Sequence, residues 1–113
     1  RGDFDRDLAW EVVHRDSHQL FDGVELLHLP GHTPGLLGVK LEFDDAGTVI
    51  LAGDQAYTRA NYEYELPMGG YLLWSKRDWL ESLRTLKDLE RRHDARIVCG
   101  HAAEDLEAMR EGL

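Results

Sequence analysis

Short apolar runs in this sequence end, at three places, in a glycine followed by a side chain that can bind a metal. The runs and the pairs that close them are 24–29 with Gly31-His32, 48–52 with Gly53-Asp54, and 96–99 with Gly100-His101. Runs of this length and composition are typical of β-strands. A glycine lets the backbone turn sharply, so the side chain that follows it can leave the sheet edge instead of entering the core. The pattern predicts an α/β or α+β fold in which three strand ends converge on one site.

The remaining periodicity predicts the frame around these strand ends. Strand-like runs at 8–14, 24–29, 36–43 and 48–52 are followed, from Ser75 to about His93, by leucines at helical spacing. This spacing predicts a long amphipathic helix that packs on the sheet. A short strand at 96–99 and a closing helix at 104–110 complete the order. The segment 58–73 has no clear period, and we interpret it as a long ordered loop of the functional type.

The acidic composition limits the partners of the chain. Its 113 residues carry 22 acidic and 13 basic side chains, a formal charge of -9, which repels phosphate groups. We therefore expect a small-molecule substrate, and neither nucleic acid nor a membrane as a partner. The single cysteine, Cys99, excludes an internal disulfide and agrees with a reducing compartment, so we expect a cytoplasmic protein. Because the chain begins at Arg1 rather than methionine, we expect it to be part of a longer protein.

Each of the three candidate ligands, taken alone, has a structural explanation. His32 lies in a loop of proline and glycine, where a histidine is more often a turn residue. Asp54 after a strand is more often a turn or cap residue, and His101 could cap the last helix. Their joint occurrence at strand ends favours a shared site. Two imidazoles and a carboxylate suit Zn²⁺, and also Fe or Mn, and leave positions open for water or substrate.

The order of these motifs resembles the second half of the metallo-β-lactamase superfamily. The string Gly31-His32-Thr33-Pro34-Gly35, then Gly53-Asp54, then a helix, a strand and Gly100-His101 carry the resemblance, which covers roughly residues 24–105. It implies an αβ/βα sandwich, of which residues 1–113 form a single partial domain, the C-terminal half, with a mixed sheet and one long helix. It also implies two metals per complete site, with His32 on one, His101 on the other and Asp54 bridging both.

The cluster that completes such a site in the superfamily, His-x-His-x-Asp-His, is absent from this sequence. The other histidines are His14, His18, His28 and His93, and none has that spacing. We interpret His14 and His18 as solvated loop residues and His28 as structural. We therefore expect the isolated chain to be inactive and to bind metal weakly or not at all. The missing N-terminal half is its expected partner, and a homodimer through the uncovered sheet is an alternative.

Within the superfamily, the segment after Asp54 resembles the N-acyl-homoserine lactone hydrolases, the quorum-quenching lactonases. Asp54-Gln55-Ala56-Tyr57 matches their Asp-x-x-Tyr, and Asn61-Tyr62-Glu63 and Glu65-Leu66-Pro67 follow it. The resemblance implies that a metal-bound hydroxide opens a lactone ring. It also implies that Asp54 relays a proton to the leaving alkoxide and that Tyr57 donates to the developing oxyanion. Tyr57 and Tyr62 are the expected substrate contacts.

Three alternatives to a lactonase stay open at this point. A glyoxalase-II-like thioesterase or another metallo-hydrolase would share the loop that contains His32. A non-catalytic fragment that serves only for association would explain the missing first cluster. For Tyr57, a tyrosine packed under its own loop is as reasonable as a catalytic one when the resemblance is set aside.

Overall fold

The computed structural model of the chain describes residues 17–69 and 72–101 together with Glu107 and Arg110. Its elements, in chain order, are β1 (Ser17–Phe21), β2 (Val24–His28), β3 (Leu37–Phe43), β4 (Gly47–Gly53), α1 (Arg59–Glu63), α2 (Lys76–His93) and β5 (Arg96–Cys99). The strand predicted at 8–14 lies outside the described residues, as do most of the helix predicted at 104–110 and His14.

The five strands form a single sheet in the order of the sequence. β1 to β4 pair antiparallel, whereas β4 and β5 pair parallel. A parallel pair needs a crossover connection, and here the crossover contains α1 and α2. The mixed sheet with a long helix confirms the predicted fold class.

The strand β1 shows that the interpretation of His18 as a loop residue is wrong. His18 lies within β1 and pairs with Leu26 of β2. The turn at Asp22-Gly23 closes this hairpin, and Gly23 supplies the positive φ of 77° that the turn requires. Pairing with β2 thus decides the conformation of Ser17, His18 and Gln19, which have no strong strand propensity of their own.

The helix α1 lies inside the segment that the sequence predicts to be a loop. Thr58 caps it, because its side chain accepts from the backbone N–H of Asn61 while the Asn61 side chain accepts from the backbone N–H of Thr58. Such a capping box satisfies two backbone donors at once. The helix has five residues, which is too short for a hydrophobic period to show in the sequence.

The hydrophobic core lies between α2 and one face of the sheet. Residues from β2, β4, β5 and α2 form one buried cluster, which includes Leu27, Ile50, Ala52, Ile97, Cys99, Trp79, Leu83 and Leu86. Complete burial of one leucine side chain contributes roughly 2 kcal/mol to the free energy of unfolding. The leucine stripe of α2 therefore packs on the sheet as predicted, and Cys99 is a small core residue.

The helix α2 has the limits that the sequence predicts. It is capped by Ser75, whose side chain accepts from the backbone N–H of Asp78 at 3.2 Å. It ends at Asp94, which adopts the left-handed conformation with φ 49°. Basic side chains at 91–93 stabilise its C-terminal end. None of the helices in the described residues is long and apolar enough to cross a membrane.

Replacement of Asp94 by glycine should stabilise the chain. The left-handed conformation is unfavourable for a residue with a β-carbon, and a negative charge is unfavourable at a helix C-terminus. We expect Asp94→Gly to raise the free energy of unfolding by about 0.5–1 kcal/mol in urea denaturation. Asp94→Asn removes only the charge and should give a smaller gain. Equal destabilisation by both variants would contradict this explanation.

Candidate metal centre

The structure brings His32, Asp54 and His101 together at one end of the sheet. They lie in the loops that follow β2, β4 and β5. His32 Nε2 is 3.6 Å from Asp54 Oδ2, and His101 Nε2 is 3.4 Å from Asp54 Oδ1. The carboxylate therefore stands between two imidazoles, and each imidazole faces a different one of its oxygens.

These separations are longer than a normal hydrogen bond between nitrogen and oxygen, which is about 2.7–3.2 Å. Two donor atoms bound to one tetrahedral ion at about 2.0–2.2 Å stand roughly 3.3–3.6 Å apart. The donor spacing on both sides of Asp54 thus fits an ion on each side. Within the described part of the chain, no three His, Cys, Asp or Glu side chains are arranged to hold one ion. Each ion would therefore find one imidazole and one carboxylate oxygen here, which is an incomplete set.

The other ring nitrogen of His32 is held by a backbone carbonyl. His32 Nδ1 lies 2.5 Å from the carbonyl oxygen of Leu72. A carbonyl can only accept, so Nδ1 has to carry a proton, and in the neutral ring Nε2 then has a lone pair on the side of Asp54. Histidines that bind metals in proteins usually donate their second N–H in this way. No sequence pattern predicts this contact, because the acceptor is a main-chain group.

The loop that carries His32 is attached to the N-terminal end of α2. The backbone N–H of Trp74 donates to the carbonyl of His32 at 3.2 Å, and that of Ser75 donates to the carbonyl of Gly31 at 2.9 Å. The hydroxyl of Ser82, on α2, donates to the carbonyl of Pro30 at 2.7 Å. Three consecutive carbonyls of the loop are therefore satisfied by the helix and the residues just before it.

The loops of Asp54 and His101 are held together by backbone contacts. The N–H of Gly100 donates to the carbonyl of Ala56 at 2.9 Å, and the N–H of His101 donates to the carbonyl of Tyr57 at 2.8 Å. Gly100 also packs directly on the carbonyl of Gly53. These contacts fix the separation between His101 and the carboxylate.

The ring of Tyr57 lies against both histidines. It stacks on His101 with ring centroids 4.2 Å apart and an interplanar angle of 15°. It meets His32 edge-on, with centroids 6.0 Å apart. The expected neighbourhood of Tyr57 and the candidate ligands is therefore present, and the ring is not packed away from them under its loop.

Tyr62 is not brought to the site. Only 2% of its surface is exposed, and its hydroxyl donates to Glu90 Oε1 of α2 at 2.6 Å. Burial raises the pKa of Tyr62 far above its usual value, and the hydrogen bond to the Glu90 carboxylate raises it further. Tyr62 joins α1 to α2 in the core, so its position does not support the expected contact with substrate.

The match to a family model decides the assignment of the chain. The model of the metallo-beta-lactamase superfamily matches residues 1–101. The chain belongs to this superfamily.

The chain is similar in sequence to several N-acyl homoserine lactonases. One, from Bacillus sp, is 33% identical over 97 residues, which cover 86% of this chain and 37% of the relative. Another, from Bacillus thuringiensis, is 31% identical over 103 residues, which cover 91% and 40%.

Solved structures give the same assignment. An N-acyl homoserine lactone hydrolase with N-hexanoyl-L-homoserine bound at its metal centre matches with a TM-score of 0.75 and 29% identity, over 84% of this chain and 37% of that one. AidC, a dizinc quorum-quenching lactonase, matches with a TM-score of 0.60 and 15% identity, over 80% and 30% of the two chains, and shows the shared fold alone. The predicted resemblance is confirmed, and membership of a metallo-hydrolase family implies metal dependence.

Replacement of Gly100 by alanine should move His101 away from Asp54. A β-carbon there would lie 2.5 Å from the carbonyl oxygen of Gly53 and 2.9 Å from its carbonyl carbon, so the ends of β4 and β5 have to separate. We expect a loss of about 1–3 kcal/mol in the free energy of unfolding, measured in urea. Gly35→Ala is the control, because a β-carbon there meets nothing within 4 Å. Equal stability of the two variants would contradict the close approach at Gly100.

Proposed function

We propose that the protein containing this chain is a metal-dependent hydrolase that opens the ring of N-acyl-homoserine lactones. We further propose that His32, Asp54 and His101 are metal ligands. The observation that carries this proposal is the placement of each imidazole opposite a different oxygen of Asp54, at the spacing of two donors on one ion. The lactonase names of the relatives support the choice of substrate.

The donor set favours zinc, with iron or manganese as alternatives. Imidazole nitrogen and carboxylate oxygen are ligands that all three metals accept. A pair of such ions, when bound, contributes Lewis-acid polarisation of an ester carbonyl and activation of water near neutral pH. The described residues offer two donors to each ion, and the chain spans 37–40% of the length of its curated relatives. We therefore propose that the remaining ligands come from another part of the protein, the N-terminal half of the sandwich.

In this reaction the chain's own residues would present ligand atoms to the metals and would hold or transfer protons. His32 presents Nε2 because the carbonyl of Leu72 holds the proton on Nδ1. Asp54 stands between the two imidazoles, where its carboxylate can take up the proton of the attacking water and pass it to the alkoxide that leaves as the lactone opens. Tyr57, whose ring stacks on His101 and meets His32 edge-on, would donate to the oxygen on which negative charge develops.

Metal titration of the 113-residue chain tests the ligand assignment. With two donors for each ion, we expect Zn²⁺ to bind more weakly than micromolar in calorimetry. Asp54→Ala should abolish binding at both positions, whereas His101→Ala should abolish it at one. Stoichiometric binding of two ions at micromolar affinity or better by the isolated chain would contradict the division of ligands between the two halves.

Replacement of Tyr57 by phenylalanine in the complete protein tests the chemistry. The fold and metal content should stay the same, while kcat for N-acyl-homoserine lactones falls by about 10- to 1000-fold, the scale of one lost oxyanion donor. Tyr64→Phe is the control, because Tyr64 is 71% exposed. Unchanged lactone turnover in the Tyr57 variant would leave this residue a packing role. Turnover of a thioester but not of a lactone by the unchanged protein would favour the glyoxalase-II-like alternative.

A further inference from the structure

Gln55 and Trp79 are joined by two reciprocal hydrogen bonds in the core. The side-chain amide of Gln55 donates to the carbonyl of Trp79 at 2.9 Å, and the indole N–H of Trp79 donates to the carbonyl of Gln55 at 2.6 Å. Both residues are fully buried. Because Gln55 directly follows Asp54, these bonds attach the loop of the carboxylate to the first turns of α2.

Trp79 also carries the loop of His32. Gly31, the residue before His32, packs so closely on Trp79 that a β-carbon there would lie 2.4 Å from its Cα and 2.6 Å from its backbone nitrogen. The backbone N–H of Trp79 donates to the carbonyl of Ser75, whose own N–H donates to the carbonyl of Gly31. Two of the three candidate ligands therefore lie in loops that contact this one residue. The loop of His32 packs on the backbone of Trp79, and the loop of Asp54 is bonded to its indole and carbonyl.

The amide of Gln55 is poorly explained by stability. Among the described residues its Oε1 is buried and has no hydrogen-bond partner. A buried acceptor without a partner is destabilising, and an apolar side chain of the same length would avoid it. The carbonyl of Trp79 lies inside α2, where it accepts from the backbone four residues later in any case. The side-chain bond of Gln55 is therefore not needed to satisfy the helix. Departures of this kind from good packing concentrate at functional sites.

We propose that Gln55 and Trp79 form a positioning pair that sets the separation between His32 and Asp54. Neither side chain is placed to contact a substrate, and both act through the loops that they hold. This inference rests on the proposed metal centre for its purpose. The pair fixes the loop of Asp54 relative to the loop of His32 before any ion binds, so its effect on their separation is present in the metal-free chain.

The test compares Gln55→Met with Leu86→Met in the 113-residue chain. Gln55→Met keeps the length of the side chain and removes only its amide. Leu86→Met is a volume-conserving change at a fully buried position of α2, the helix that carries Trp79, and serves as the control. Two quantities are measured for each: the distance between His32 Nε2 and Asp54 Oδ2 in crystals of the metal-free chain, and the affinity for Co²⁺ by absorption spectroscopy.

For Gln55→Met we expect the thermal midpoint to stay within about 5 °C of the unmodified chain. The distance between His32 and Asp54, 3.6 Å in the unmodified chain, should change by about 0.5 Å or more. Co²⁺ should bind about tenfold more weakly, the lower end of the effect of residues that support a ligand. Leu86→Met should change neither the distance nor the affinity.

Two results would overturn the positioning role. One is an unchanged distance in Gln55→Met together with the same Co²⁺ affinity as in Leu86→Met. The other is a failure of Gln55→Met to fold, because the pair would then be a requirement of the core. If the unmodified chain binds no Co²⁺ at all, two donors for each ion are too few without the rest of the protein, and the distance in the metal-free crystals alone decides the role of the pair.

Discussion

The burial of Trp79 against the end of the sheet is the contact on which the rest of this structure depends. Trp79 is completely buried in the first turns of α2, and it belongs to the same buried cluster as residues of β2, β4 and β5. The close approach of Gly31 leaves no room for a side chain between the loop after β2 and the helix. Core packing and site geometry are therefore not separable here, since one residue contributes to both.

The sequence predicts well those features that repeat or that need glycine. The limits of α2 follow from its leucine period and from Ser75, and the convergence of His32, Asp54 and His101 follows from their position after strands. Both signals are local in the chain. Each can be interpreted without knowledge of the neighbours that the residues meet in space.

The features that the sequence does not predict depend on those neighbours. His18 is in a strand because Leu26 pairs with it, and the buried hydroxyl of Tyr62 is satisfied because Glu90 of α2 accepts a hydrogen bond from it. A tyrosine between asparagine and glutamate carries no local mark of burial. The role inferred for Gln55 depends in the same way on Trp79, a distant residue that no spacing rule connects to it.

The hydrogen bond between His32 and the carbonyl of Leu72 has a thermodynamic consequence. Of the two neutral tautomers, only the one with the proton on Nδ1 can make it, and that tautomer has a free electron pair on Nε2. The position of the Leu72 carbonyl and the capacity of His32 Nε2 to donate its electron pair are therefore thermodynamically linked. By reciprocity, whatever holds this carbonyl in place strengthens the donor, and whatever occupies the donor holds the carbonyl in place by the same free energy.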